Sequence, residues 1–241
     1  MHAVDLAFAA VAFALFIGAI LQGCIGFGMV VLAFPVLITV DPSLLPQSVL
    51  VAALPTIALN AVRNWGAADY REVSWLMVGR VPGLIGGLLL VHLVARSWLA
   101  IGGGLVVLAA VGLSIWTPQV RRTIGNLLAA GAISALFGTA IGIGGPPLGL
   151  LYQHESGRQL RSTITALMIT GAPVSLLLLA LTGQVSMTDA QTGVALAPFT
   201  VAGTLVAPRF MPWFDERVRL TVLVVCAFAA LVAITRVAFT L

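Results

Sequence analysis

The sequence predicts an all-α polytopic membrane protein made of two inverted repeats, each a re-entrant helical hairpin with a glycine tip followed by three transmembrane helices. Three observations predict it. Hydrophobic residues make up 60% of the 241 and charged residues 8%, with a mean hydropathy of +1.11, a composition no water-facing surface could keep dispersed. Apolar stretches long enough to cross about 30 Å of hydrocarbon at about 1.5 Å per residue recur along the chain. Two glycine-broken segments interrupt that pattern, Gly23-Cys24-Ile25-Gly26-Phe27-Gly28 and Thr139-Ala140-Ile141-Gly142-Ile143-Gly144-Gly145-Pro146-Pro147. A broken helix in each half of a membrane protein is the sequence mark of a transport site.

Long apolar segments run over 4–21, 44–62, 73–94, 98–116, 123–140, 162–181, 190–206 and 218–239, with two shorter pieces at 29–40 and 146–153. Residues 1–5 hold a His and an Asp but no basic n-region, so the first segment reads as a retained helix rather than a signal peptide. The short pieces are the return arms of hairpins whose tips are the glycine breaks. Residues 146–153 reach only about 12 Å as a helix, which places the second tip near mid-depth. Non-helical backbone is tolerated there only inside protein or against a wet cavity. Trp65, Trp75, Trp98, Trp116 and Trp213 fall at or near segment ends, where an indole settles among headgroups. Asp41-Pro42, Gly66, Gly157, Gly183-Gln184 and Pro212 mark the connections.

The halves, 1–120 and 121–241, share a register. Gly26, Gly28, Pro82 and Gly87 map onto Gly142, Gly144, Pro198 and Gly203 at one offset of 116, and Pro55 pairs with Pro173 after a two-residue slip. A hairpin and three crossings per half put the second repeat into the membrane upside down, so the two tips converge. Orientation follows from arginine, because the chain has no lysine. With hairpins at the breaks, Arg63, Arg71, Arg121, Arg122, Arg158, Arg161, Arg209, Arg217 and Arg219 share one face and only Arg96 and Arg236 take the other. That bias makes the richer face cytoplasmic and both termini extracytoplasmic. The net charge of +4 is this bias and carries no implication of a nucleic-acid partner.

Each return arm begins at its tip, so its helix N-terminus, with unpaired N–H groups and a partial positive charge, faces the centre. Gly26, Gly28, Gly142, Gly144 and Gly145 bare the backbone there, and Pro146 and Pro147 suit a first helical turn. Two opposed N-termini would cradle an oxyanion without a formal charge. The same glycines would also serve close helix packing, as Gly102, Gly103 and Gly104 do on this reading. Gln22, Thr139, Thr163, Thr165 and Thr170, with Gln47, Ser48 and Thr56 in the matching helix of the first half, are candidate donors, although a membrane Ser or Thr also bonds its own i−4 carbonyl. Asn60 and Asn64 either line the cytoplasmic way in or cap their helix. Arg80 lies about 10 Å along its segment, where it either snorkels to the surface or draws anions into an inward vestibule.

His92 reads as interfacial and Cys24 as a buried thiol, and two cysteines give no disulfide or metal pattern. No His/Cys/Asp/Glu cluster, phosphate loop or carboxylate pair is spaced for metal, cofactor or acid–base chemistry, so neither a cofactor nor an enzyme is expected. All acidic residues, Asp5, Asp41, Asp69, Glu72, Glu155, Asp189, Asp215 and Glu216, fall in ends or loops, which favours electrically driven anion export over a proton relay.

The two motifs, Gly23 to Gly28 leading to Pro35, and Gly142-Ile143-Gly144-Gly145-Pro146-Pro147, resemble those of the TauE/SafE family of bacterial membrane proteins, the sulfite exporter family. The resemblance covers essentially the whole chain in order and length, with Phe27 and Met29 standing where the family tends to small residues. It implies a secondary transporter of small sulfur-containing anions (sulfite, thiosulfate, sulfonates such as sulfoacetate), working by alternating access with its site at the hairpin tips. The other readings are a transporter of a different small organic anion, an intramembrane enzyme using a serine with His92 or His154, and an assembly protein. The oligomeric state is open, a homodimer included.

Overall fold

Helix is the only regular state that satisfies every backbone N–H and C=O within one segment in lipid, and every regular element of the described residues is helical. The structure, a computed structural model, describes residues 2–94, 98, 120–152, 154–215 and 224. In chain order these form α1 (His2–Ile25), α2 (Met29–Val40), α3 (Gln47–Asn64), α4 (Tyr70–Leu93), α5 (Ile124–Ile141), α6 (Gly145–Tyr152), α7 (Gly157–Leu181), α8 (Met187–Val206) and the short α9 (Met211–Asp215). The segments expected at 98–116 and 218–239 lie outside the described residues apart from Trp98 and Val224, as do Gly102, Gly103, Gly104, Trp116, Arg96, Arg217, Arg219, Arg236 and Cys226.

Polar caps set several helix starts ahead of the apolar runs. Ser156 accepts from the Gln159 N–H and starts α7 at Gly157, five residues before the apolar run that begins at 162. Asp69 accepts from the N–H groups of Arg71 and Glu72 to start α4, and a Ser186–Asp189 capping box starts α8. Among the described residues, α1, α4, α5, α7 and α8 (continued to Arg209) are each long and apolar enough to cross a membrane. Helix α3 is less apolar because Gln47, Ser48, Thr56 and Asn60 are all buried in the protein interior.

Small residues fix how the helices meet. Side-chain carbons on Gly79, Gly83 and Gly87 of α4 would collide with the carbonyls of Leu128, Ala132 and Leu136 of α5, and one on Gly131 would strike the carbonyl of Leu76. The indices rise together, so α4 and α5 run parallel, backbone against backbone. Helix α8 lies parallel to both α1 and α3 by the same reading. Gly203 meets Phe16 and Gly23 meets Ala207, while Gly193 meets Ser48. Two hydrogen bonds tie α3 to α8: Thr200 Oγ1 donates to the carbonyl of Ala52 at 2.8 Å and the Arg63 guanidinium to that of Thr204 at 2.7 Å. Exposed Val78, Val81, Ile85 and Leu89 on α4, and Val174, Leu177 and Leu181 on α7, form outward stripes suited to lipid.

Candidate functional site

Both glycine breaks are real reversals of the chain. The Gly26 N–H closes the last turn of α1 on the Gln22 carbonyl at 2.7 Å, and Gly26 and Gly28 take φ of +93° and +111°, a region closed to most side chains. Helix α2 then starts from Gly28. The second break repeats the device: the Gly142 N–H bonds the Gly138 carbonyl at 3.1 Å with φ +79°, and α6 begins at Gly145. The tips touch, since side-chain carbons on Gly145 and Gly142 would meet Phe27 and Val30 of the first hairpin.

Where they touch there is a cavity of about 60 Å³, lined by Gln22, Gly26, Phe27 and Gly28 from one tip and Gly142, Ile143, Gly144 and Gly145 from the other. Val49, Leu50, Ala53 and Ile57 of α3 and Met168 and Ala172 of α7 supply an apolar wall, and Ser134, Ser175 and Arg80 supply side-chain polarity. A water needs roughly 10–15 Å³ measured this way, so the space suits a few waters or one small solute. The first-turn residues Met29, Val30 and Val31 of α2 border it. Their N–H groups precede the first intrahelical bond, which runs from the Leu32 N–H to the Gly28 carbonyl at 2.9 Å. Helix α6 gives less, because Pro146 and Pro147 have no N–H. The two N-termini are therefore unequal donors.

Arg80 is 4% exposed and does not snorkel. Its guanidinium lies over Gly171 of α7, where any side-chain carbon would collide with it. Its Nε has no hydrogen-bond partner, and no carboxylate lies within ion-pair distance of it among the described residues. A buried cation in that state costs several kcal/mol until an anion or a set of acceptors meets it.

Of the other residues singled out from sequence, Gln22, Gly26, Gly28, Gly142, Gly144 and Gly145 line the cavity, and Thr139 stands one contact behind it, its Oγ1 2.9 Å from Ser175 Oγ. Gln47, Ser48, Thr163 and Thr165 are buried but do not border it. Ser48 instead donates to the Asp189 carboxylate at 3.4 Å, because α3 is packed on α8. Thr56 bonds the Ala53 carbonyl at 2.7 Å, as membrane threonines commonly do, and Thr170 is exposed. Cys24 donates to the Ala207 carbonyl and does not reach the cavity. Arg161, counted above with the arginine-rich face, is 5% exposed and donates to the Cys24 carbonyl at 2.8 Å, bracing the end of α1 beneath the first tip. Sequence reading missed it because the apolar run starts one residue later, whereas the Ser156 cap already makes it helical. It also missed Ser134, Ser175 and Gly171; the spacing Ser134, Gly138, Gly142 along one face of α5 was the available signal.

At the other end of α6, Tyr152 donates to the Glu72 carboxylate at 2.8 Å, and Arg122 bridges Glu72 and Glu155 at 3.2 and 2.6 Å. The return arm is thereby fastened to the starts of α4 and α5. No group of three His, Cys, Asp or Glu residues comes together to hold a metal among the described residues.

The two glycine breaks thus meet at a small, mainly apolar cavity among helices long enough to cross a membrane, and the family Sulfite exporter TauE/SafE matches residues 10–233, from α1 through both breaks and beyond α8. The chain belongs to the TauE/SafE family. No curated protein and no solved structure matches it. As a TauE/SafE protein it is a multi-pass membrane protein of a sulfite exporter family, and both glycine breaks and Arg80 fall within the family match.

Proposed function

We propose that this chain carries a small oxyanion, of the class of sulfite, thiosulfate or a sulfonate such as sulfoacetate, across a bacterial inner membrane by alternating access. The anion sits in the cavity between the hairpin tips. The observation that carries this reading is Arg80, a buried guanidinium on the cavity wall with no carboxylate partner among the described residues. The anion is its missing counter-charge, and the first-turn N–H groups of α2 add to the same field.

Helix directions support two inverted repeats, 1–120 and 121–241. Helix α1 runs parallel to α8 and α3, and α5 runs parallel to α4. On this reading α3 and α4 oppose one another across their short connection, which brings the outgoing arms α1 and α5 in from opposite faces. Packing partners also exchange under the repeat, α1 lying on α8 as α5 lies on α4. Such a pair of halves can rock about a fixed central site.

Thermal unfolding of the purified protein with and without sulfite tests the site. A ligand at a hundredfold its Kd stabilises the folded state by about 2.7 kcal/mol, which appears as a raised Tm. Arg80→Met should remove that shift while leaving the ligand-free Tm equal or higher, because it deletes an unpaired buried charge. A variant that still responds to sulfite would remove Arg80 from the site, and a ligand-free Tm well below wild type would make Arg80 a structural residue.

A further inference from the structure

The side chains around the cavity carry one formal charge between them. Among the described residues that line it, Arg80 is the only ionisable group, and the rest of the polarity comes from Gln22, Ser134 and Ser175. Ser175 Oγ is already engaged with Thr139. Ser134 is different. Its Oγ is buried, has no hydrogen-bond partner, and sits in the middle of α5 without bonding the carbonyl one turn back that usually satisfies a helical serine. It stands beside the second tip, since a side-chain carbon on Gly144 would lie 3.2 Å from it, and Ser134 borders the cavity. A buried hydroxyl left without a partner loses what water would have given it, so this one is matched by whatever fills the cavity.

Resting on the anion site proposed above, we infer that within that class the cavity favours a singly charged oxyanion, hydrogensulfite or a simple sulfonate, over the dianions thiosulfate and sulfoacetate, with Arg80 as its one counter-charge and Ser134 Oγ as the second contact. A second charge on the ligand would have no cation to meet and would face the apolar wall of α3 and α7, where an unpaired charge is heavily penalised. The helix dipole of α2 offers only a fractional charge. The hydroxyl serves a monoanion in either sense, donating to a bare oxygen or accepting from an oxygen that carries a proton.

Sulfamate and sulfate test this, since they have similar size and polarity but one and two charges, with methanesulfonate as an apolar-tailed monoanion. Isothermal titration of the purified full chain should find sulfamate and methanesulfonate at least about tenfold tighter than sulfate, Ser134→Ala about tenfold weaker for sulfamate, and Ser134→Thr near wild type, the size expected for a hydrogen bond to a charged group. Sulfate binding as tightly as sulfamate, with both lost in Arg80→Met, would overturn the charge selection while leaving the site in place. Undiminished sulfamate binding by a folded Ser134→Ala protein would overturn the role of Ser134. Binding of all three anions unchanged in Arg80→Met would instead remove the anion site itself.

Discussion

Arg80 and Gly171 form a pair in which each explains the other. The guanidinium reaches from α4 across to α7 only because position 171 has no side chain, and it stays buried because that surface is flat. Gly171→Ala would push the guanidinium off its seat, at about 1–3 kcal/mol for overpacking a tight contact. In an Arg80→Ala background the same substitution should cost close to nothing, because its obstacle is gone. Thermal unfolding of the four proteins completes the double-mutant cycle, and additive losses would show that Gly171 answers to something other than Arg80. The tip glycines are less useful probes. Side-chain carbons on Gly142, Gly144 and Gly145 would meet Val30, Ser134 and Phe27, so a substitution there disturbs packing and any bound ligand together. Sequence spacing marked those glycines, but it could not separate their two duties, which for Gly142 and Gly145 are set by contacts with residues more than a hundred positions away.

At the scale of elements, α4 and α5 are held by backbone contact along a row of glycines one turn apart. Gly83→Val should prevent that approach and abolish the folded protein, while Gly125→Ala on α5, whose added carbon meets nothing, should be neutral or stabilising by up to about 1 kcal/mol. Fluorescence-detected size-exclusion chromatography of the two variants reads the difference directly. Loss of the folded peak in Gly125→Ala, or its retention in Gly83→Val, would contradict the packing described. The helices themselves were legible because lipid imposes one simple rule, a long apolar run for each crossing, and the glycine breaks were legible because left-handed backbone has few alternatives to glycine. Less legible was which polar residues meet. Gln47, Ser48, Thr163 and Thr165 stood out along the chain whereas Ser134 and Ser175 did not, and the rotation of α3, α5 and α7 about their axes decides which of them border the cavity. The burial of Arg161 was hidden for a related reason: the Ser156 N-cap extends its helix ahead of the apolar run and carries the arginine inside the protein.

For the whole molecule the remaining question is which face is which, and the arginines at the helix ends bear on it. Arg63 and Arg209 close the ends of α3 and the α8 segment, whereas Arg71, Arg121, Arg122 and Arg158 stand at the starts of α4, α5 and α7. Since α3 and α8 run parallel to one another and α4 runs parallel to α5, a single face collects all six, even after Arg161 is withdrawn to the interior. A basic excess on one side of short loops fixes the cytoplasmic face. Helix α7, 25 residues long and about 37 Å from end to end, joins that face to the opposite one. Cysteines placed at exposed positions on either end of it, His154→Cys before its start and Thr182→Cys after its end, report the orientation. Cys24 is fully buried and serves as a silent background once Cys226 is replaced by alanine. In intact cells an impermeant maleimide should label position 182 and spare 154, and in inverted vesicles the pattern should reverse. Labelling of 154 from outside would turn the protein over and make the arginine-rich face extracytoplasmic. Labelling of both positions from the same side would mean that α7 does not cross at all, and the two-hairpin architecture would fall with it.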